Sequence, residues 1–214
     1  MSTAVLLATA TGLVTGLSLI VAIGAQNVFV LRQGLLRRHV ALVVVVCAVS
    51  DAVLITAGVA GIGGLVAAAP LALELLRWGG VAFLAAYGVS ALRRAARPAA
   101  LEAETASVGG TVGRTAGRTL AVALALTWLN PHVYLDTLLL LGSVAQQQGE
   151  DLRWWFAGGA VTASIAWFSL LGWGAGRARG LLARPATWRV LEIVVGAVML
   201  AIAAKLALTP LPTG

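Results

Sequence analysis

The sequence predicts an all-α polytopic membrane protein, with six transmembrane helices arranged as two inverted three-helix repeats. Three observations carry that expectation. Of 214 residues, 60% are hydrophobic and 11% charged, with a mean hydropathy of +0.95, whereas an average soluble chain is roughly 25% charged. Apolar stretches near or above the ~20 residues that a bilayer-spanning helix needs recur from end to end. Basic residues fall on alternate connections between those stretches, as the positive-inside rule requires of a multi-pass protein.

The first expected span, 3–31, has no Lys or Arg before it, and the first basic residue is Arg32 on its far side. It is expected to stay as a helix and not to be removed as a signal peptide. It is longer than a straight crossing requires. It also carries Gly24-Ala25-Gln26-Asn27 before resuming as Val28-Phe29-Val30-Leu31. A break at Gly24 would present backbone amides at the start of a second half-helix, where the helix dipole favours a carboxylate; polar residues used for helix packing are the plainer reading.

The second span, 40–66, places Asp51 about eleven residues from its start, which at ~1.5 Å per residue is close to the bilayer midplane. The third, 71–92, follows Pro70 and contains Glu74 and Arg77, read as an interfacial i,i+3 pair. Residues 94–117 form a long polar stretch rich in Ala, Gly, Thr and Arg, which reads as a cytoplasmic linker between a first half, 1–93, and a second half, 118–214. Three spans per half is an odd number, so the second half must lie upside down relative to the first. The fourth span, 119–145, is interrupted by Leu129-Asn130-Pro131. The fifth and sixth are 154–175 and 190–208. Trp154, Trp155, Trp173 and Trp188 lie near span ends as interface anchors, and Lys205 is expected to snorkel to the outer face.

Twelve of the 15 Lys and Arg residues lie after spans one, three and five. Those connections are expected to be cytoplasmic and both termini outside, in a bacterial cytoplasmic membrane. The formal net charge of +7 therefore sets orientation and does not imply a nucleic-acid partner. Cys47 is alone, and His39 and His132 are far apart in sequence, so no disulfide framework, metal site or cofactor is expected. Gly12-x-x-x-Gly16 and Gly172-x-x-x-Gly176 fit close helix packing, while Gly61-Ile62-Gly63-Gly64 lacks the Lys-Ser/Thr of a phosphate loop.

Polar residues at membrane depth mark the candidate site. An ionised Asp51 in hydrocarbon costs several kcal/mol unless it faces water or a partner; a protonated Asp bonded to a neighbouring carbonyl is the plainer alternative. In the fourth span, His132 and Asp136 stand at i,i+4 on one helical face. Pro131 removes a backbone donor and its ring pushes against the carbonyl of Thr127. With Asn130 and Tyr134 beside them, these residues predict an opened helix whose freed groups face a ligand or a wet cavity; a simple kink is the bland alternative.

The segments GAQNVFVLRQG at 24–34, SDAVLITAGVAG at 50–61 and TWLNPHVYLDT at 127–137 closely resemble the LysE-type lysine/arginine exporters of bacterial membranes, and the resemblance covers nearly the whole chain. It implies a six-span exporter of basic L-amino acids. Related exporters of neutral amino acids resemble the same plan but usually carry a Gly-Pro-rich first break and Asn-Pro-Lys in the fourth helix. By this resemblance, Asp51 and Asp136 match the family's intramembrane acids, and Asn27 and Asn130 its helix breaks.

The expected substrate and proton site thus comprises Asp51, Asp136, His132, Asn27, Asn130, Gln26 and Tyr134, with Gly24 and Pro131 at the breaks. The expected activity is secondary export of arginine or lysine in exchange for protons, by a protein embedded in the lipid bilayer and able to form homo-oligomers. Alternatives are export of a neutral amino acid or a metal cation. A metal would want more carboxylate or thiolate ligands than two aspartates and one cysteine. An intramembrane aspartyl protease also needs two aspartates, but the glycine-flanked context expected of the second is absent at Val49-Ser50-Asp51.

Overall fold

A computed structural model describes residues 2–21, 24–63, 69–96, 112–177 and 185–208. Outside these lie residues 22–23 and 64–66 of the first two expected spans, 97–111 of the expected linker, and Arg97, Arg179 and Arg184. The described chain is all-helical. In order, the helices are α1 (Thr3–Ile20), α2 (Ala25–Leu36), α3 (Val40–Val59), α4 (Pro70–Ala96), α5 (Val112–Trp128) and α6 (Pro131–Val133). A π-helical stretch (Tyr134–Leu141), α7 (Gly142–Gln146), α8 (Arg153–Ala175) and α9 (Pro185–Leu208) complete it.

Five helices are individually long and apolar enough to cross a bilayer: Thr3–Ile20, Val40–Val59, Leu71–Ala96, Arg153–Ala175 and Trp188–Leu208. The expected fourth span is divided, with Ala116–Trp128 too short by itself. Lipid in place of water as solvent explains the surfaces. On α3, Val45, Val49 and Val53 are exposed at i,i+4 spacing, while Cys47, Asp51, Leu54 and Gly58 point inward. A helix with an apolar outside and its polar group inside is suited to hydrocarbon, where the backbone must satisfy its own hydrogen bonds.

Small residues set the helix pairs. A Cβ at Gly12 would fall on the carbonyl of Phe156, and one at Gly159 on the carbonyl of Thr9, so α1 and α8 touch backbone to backbone. Gly16 meets Ala160, and further along Gly34 of α2 meets Gly172. The paired positions rise together, so α1 and then α2 run in the direction of α8, end to end along its length. α3 runs against α8: Val44 packs on Gly172, Asp51 bonds Ser164, and Ile55 clusters with Phe156.

The second broken helix treats α3 as the first treats α8. Trp128 bonds Ser50, Gly58 lies under Thr137 and Leu138, and Gly142 abuts Gly58, so this helix follows α3 in parallel. α4 and α9 pair antiparallel through reciprocal close approach of Gly88 and Gly196.

Charge segregates by end. Arg32, Arg94 and Glu192 meet at one end of the bundle, where Arg37 also donates to the Gly176 carbonyl at 3.1 Å. At the other end, Arg77 binds the carbonyls of Leu206 and Ala207, and also Glu74 at 2.9 Å, as the i,i+3 spacing predicted. Arg32 was expected in a loop but is buried within α2, because the helix resumes beyond Leu31 and a carboxylate awaits it on α9.

Candidate functional site

Asp51 is a buried carboxylate with no cationic partner among the described residues. It is 8% exposed, and its Oδ2 accepts a 2.7 Å hydrogen bond from Ser164 Oγ. Both residues lie midway along their helices, where α3 and α8 cross. One turn before Asp51, Cys47 is fully buried, with the Gln26 side chain against it.

That contact brings the first helix break to the level of Asp51. Gly24, extended at φ −123° and ψ 169°, caps α2 without a side chain, so no hydroxyl or carboxylate closes the helix start. Asn27 fixes the break from both sides: its Nδ2 donates to the Ile20 carbonyl at 2.7 Å, and its Oδ1 accepts from Trp167 Nε1 at 3.2 Å. Gln26 Nε2 is a buried nitrogen without a hydrogen-bond partner among the described residues. Buried donors in native proteins are nearly always satisfied, so this amide is suited to a ligand oxygen or water.

The second break arrives at the same level through Trp128, whose Nε1 donates to Ser50 Oγ at 3.2 Å beside Asp51. Its chemistry differs from a proline kink. α5 already ends at Trp128, and Asn130 serves as N-cap, its Oδ1 accepting from the His132 amide at 3.2 Å. Pro131 occupies the first position of the new helix, where a missing N–H costs nothing. The expected clash with the Thr127 carbonyl therefore does not arise. Tyr134 Oη donates to the Trp128 carbonyl at 2.8 Å and bridges the gap.

Consequently Asn130→Ala should lower stability by about 0.5–2 kcal/mol, the usual cost of an N-cap, whereas Pro131→Ala should change it by less. Thermal unfolding of both variants in one detergent checks this. Equal losses would restore the proline-kink account.

The structure does not bring Asp136 to Asp51. Asp136 is exposed within the π-helical stretch, with the side chains of His132 and Lys205 nearby, and among the described residues it forms no hydrogen bond or ion pair. Its wider turn alters the simple i,i+4 geometry expected for His132 and Asp136; such π segments recur at functional sites. His132 Nε2 is buried and unpartnered. Asp51, Gln26, Asn27 and Gly24 thus form one group, joined through Trp128 to Asn130, Pro131, His132 and Tyr134 at the second break, while Asp136 lies further along the second half-helix.

Several residues escaped the sequence reading. Ser164 and Trp167 looked like ordinary members of an apolar helix. Glu192 is the larger omission: it is 0% exposed and binds Arg32 at 2.6 Å and Arg94 at 2.9 Å. Its signal was present, as a carboxylate inside the sixth apolar stretch.

Comparison with known proteins decides the family. The model for the LysE type translocator matches residues 17–209. The chain belongs to the LysE family. It is similar to the lysine exporter LysE of Corynebacterium diphtheriae, with 40% identity over 91% of this chain and 96% of that protein. It is also similar to a proposed amino-acid transporter of Mycobacterium tuberculosis, with 42% identity over 90% of this chain and 93% of the relative. No solved structure matches it. This LysE family member is a membrane translocator and not an enzyme.

Proposed function

We propose that this LysE family protein exports arginine or lysine across the bacterial cytoplasmic membrane by exchange with protons. The observation that carries the proposal is the contrast between two buried carboxylates. Glu192 is matched by two guanidinium groups, whereas Asp51 has a neutral hydroxyl partner. An anion at membrane depth needs a proton or a cation. Among the described residues no cation pairs with Asp51, so a proton and the substrate's ammonium or guanidinium compete for it.

Exchange also meets the energetic demand. Moving one positive charge out against an interior-negative potential costs about 2.3 kcal/mol per 100 mV. One proton entering per cation leaving cancels that charge movement, and the pH and concentration gradients then drive export. Within the site, Gln26 Nε2 and the uncapped start of α2 are suited to the substrate carboxylate. Asp136 and His132 serve the path between this site and the far end of the second half-helix. The name of the C. diphtheriae relative supports the basic-substrate reading.

The pairing of each broken helix with the second helix of the opposite half supports two inverted repeats. Asp51 and Ser164 each stand at the twelfth position of their helices, counting from Val40 and Arg153, as residues meeting on a pseudo-two-fold axis would. The arginine-rich end is assigned to the cytoplasm. A cysteine replacing Thr105 should then react with impermeant reagents only from the cytoplasmic face, and one replacing Gln147 only from outside. Labelling of both from one face would mean a miscounted span.

Counterflow in proteoliposomes tests the substrate assignment. Vesicles loaded with unlabelled arginine should accumulate labelled arginine or lysine and leave labelled leucine outside. Counterflow of leucine with none of the basic amino acids would overturn it.

A further inference from the structure

The two ends of the bundle differ in a way the substrate site does not explain. At the arginine-rich end, Glu192 of α9 holds two helices of the first half. Its Oε1 accepts from Arg32 Nε and Nη2 at 2.9 and 2.6 Å, and its Oε2 from Arg94 Nε and Nη2 at 3.1 and 2.9 Å. Arg32 lies on α2 and Arg94 on α4, so one carboxylate ties three elements together. Beneath it, Phe29 of α2 packs edge-on against Tyr87 of α4 at 6.2 Å, and the Arg94 guanidinium lies 5.8 Å from the Tyr87 ring centroid. Phe29 and Cys47 belong to the same buried cluster, and Cys47 lies on the side of Asp51 nearer this end.

At the other end, the corresponding half-helix bonds α3, Gln146 Nε2 donating to the Val59 carbonyl at 2.6 Å, but among the described residues no ion pair joins it to α4 or α9. Asp136 and Lys205 are both exposed and near one another, without an ion pair between them. In a transporter whose halves are related by inversion, a half-helix held by ion pairs at one end, and its counterpart held among the described residues without them, describe one of two alternating states.

We infer that Glu192 is a positioning residue for transport: it holds α2 against α4 and α9, closes the cytoplasmic end, and must release α2 for substrate to reach Asp51 from inside. This rests on the transporter reading given above. The hinge is at Gly24, where α2 begins without a side-chain cap. Because α2 carries Gln26 and Asn27 at one end and Arg32 at the other, release of Arg32 and rearrangement of the site are movements of one short helix. A static structural staple would share the same contacts but would not make access to the site one-sided.

The protein contains a native reporter. Cys47 is its only cysteine, fully buried and one turn on the arginine-rich side of Asp51. The experiment measures the rate at which an impermeant maleimide modifies Cys47 in inside-out and right-side-out vesicles, with no other cysteine introduced. Glu192→Gln should accelerate labelling at the cytoplasmic face by about tenfold or more, corresponding to a shift of about 1.4 kcal/mol or more toward the open state, and leave the outer face unchanged. Arg94→Gln, which retains the Arg32 pair, should give a smaller acceleration of the same sidedness, and it decides the matter should Glu192→Gln fail to insert.

Labelling at the wild-type rate in the inserted variants, or equal acceleration from both faces, would overturn the proposal. The readout requires no substrate. A failure of basic amino-acid counterflow would therefore count against the substrate assignment while leaving the one-sided labelling intact.

Discussion

Asp51→Asn is expected to abolish gradient-driven export while leaving a folded protein. The substitution preserves shape, and an asparagine oxygen can still accept the Ser164 hydroxyl bond seen at 2.7 Å. What it loses is the ability to carry a proton or to pair with a cation. A charge pair removed from a water-poor site costs about 3–5 kcal/mol when one member is lost, which at about 1.4 kcal/mol per tenfold is a fall of more than a hundredfold. Stability should not fall with it, because Asp51 has no cationic partner among the described residues and an amide there carries less desolvation cost. Initial export rate and melting temperature, measured on one preparation, check both halves. An asparagine variant with full, gradient-dependent export would remove Asp51 from the mechanism.

The largest effect on folding is expected at Gly159, and its neighbour supplies the control. A methyl group at Gly159 would land on the Thr9 carbonyl and crowd the Leu13 amide at 2.9 Å, both of them backbone atoms of α1. Neither can move without separating α1 from α8. Overpacking of this kind costs about 1–3 kcal/mol or more, and here it opposes one of the closest contacts between those helices. At Gly158 nothing lies within 4 Å of the same methyl group. Gly158→Ala should be neutral or stabilise the helix by up to about 1 kcal/mol. Thermal unfolding of the two alanine variants should therefore differ in sign; similar values would contradict the α1–α8 packing.

The sequence disclosed the parts of the site that break a pattern. Asp51 interrupts an apolar helix of twenty residues, and Gly24 to Asn27 and Asn130-Pro131 interrupt two other apolar stretches; the structure places them near one level of the bundle. It misled where one rule was applied in isolation. Proline suggested a clash with the Thr127 carbonyl, yet the adjacent asparagine makes Pro131 the start of a new helix. Arginines suggested loops, yet Arg32 is buried because Glu192 is 160 residues away in the chain and adjacent in space. Such pairings, like the meeting of Ser164 with Asp51, depend on which helices touch and in which direction. The π-helical turn that carries Asp136 lies against α3 and the residues after it, where Gly58 and Gly63 admit the second broken helix closely, and no local signal announces it.

The most direct test of the account is uptake of labelled amino acids into inside-out vesicles, with and without an imposed proton gradient of the orientation that drives exchange. The predicted result is uptake of arginine or lysine that the gradient accelerates, with leucine excluded and with uptake lost in Asp51→Asn. Uptake of neutral amino acids in preference to basic ones, or basic amino-acid uptake indifferent to both the proton gradient and Asp51, would contradict it.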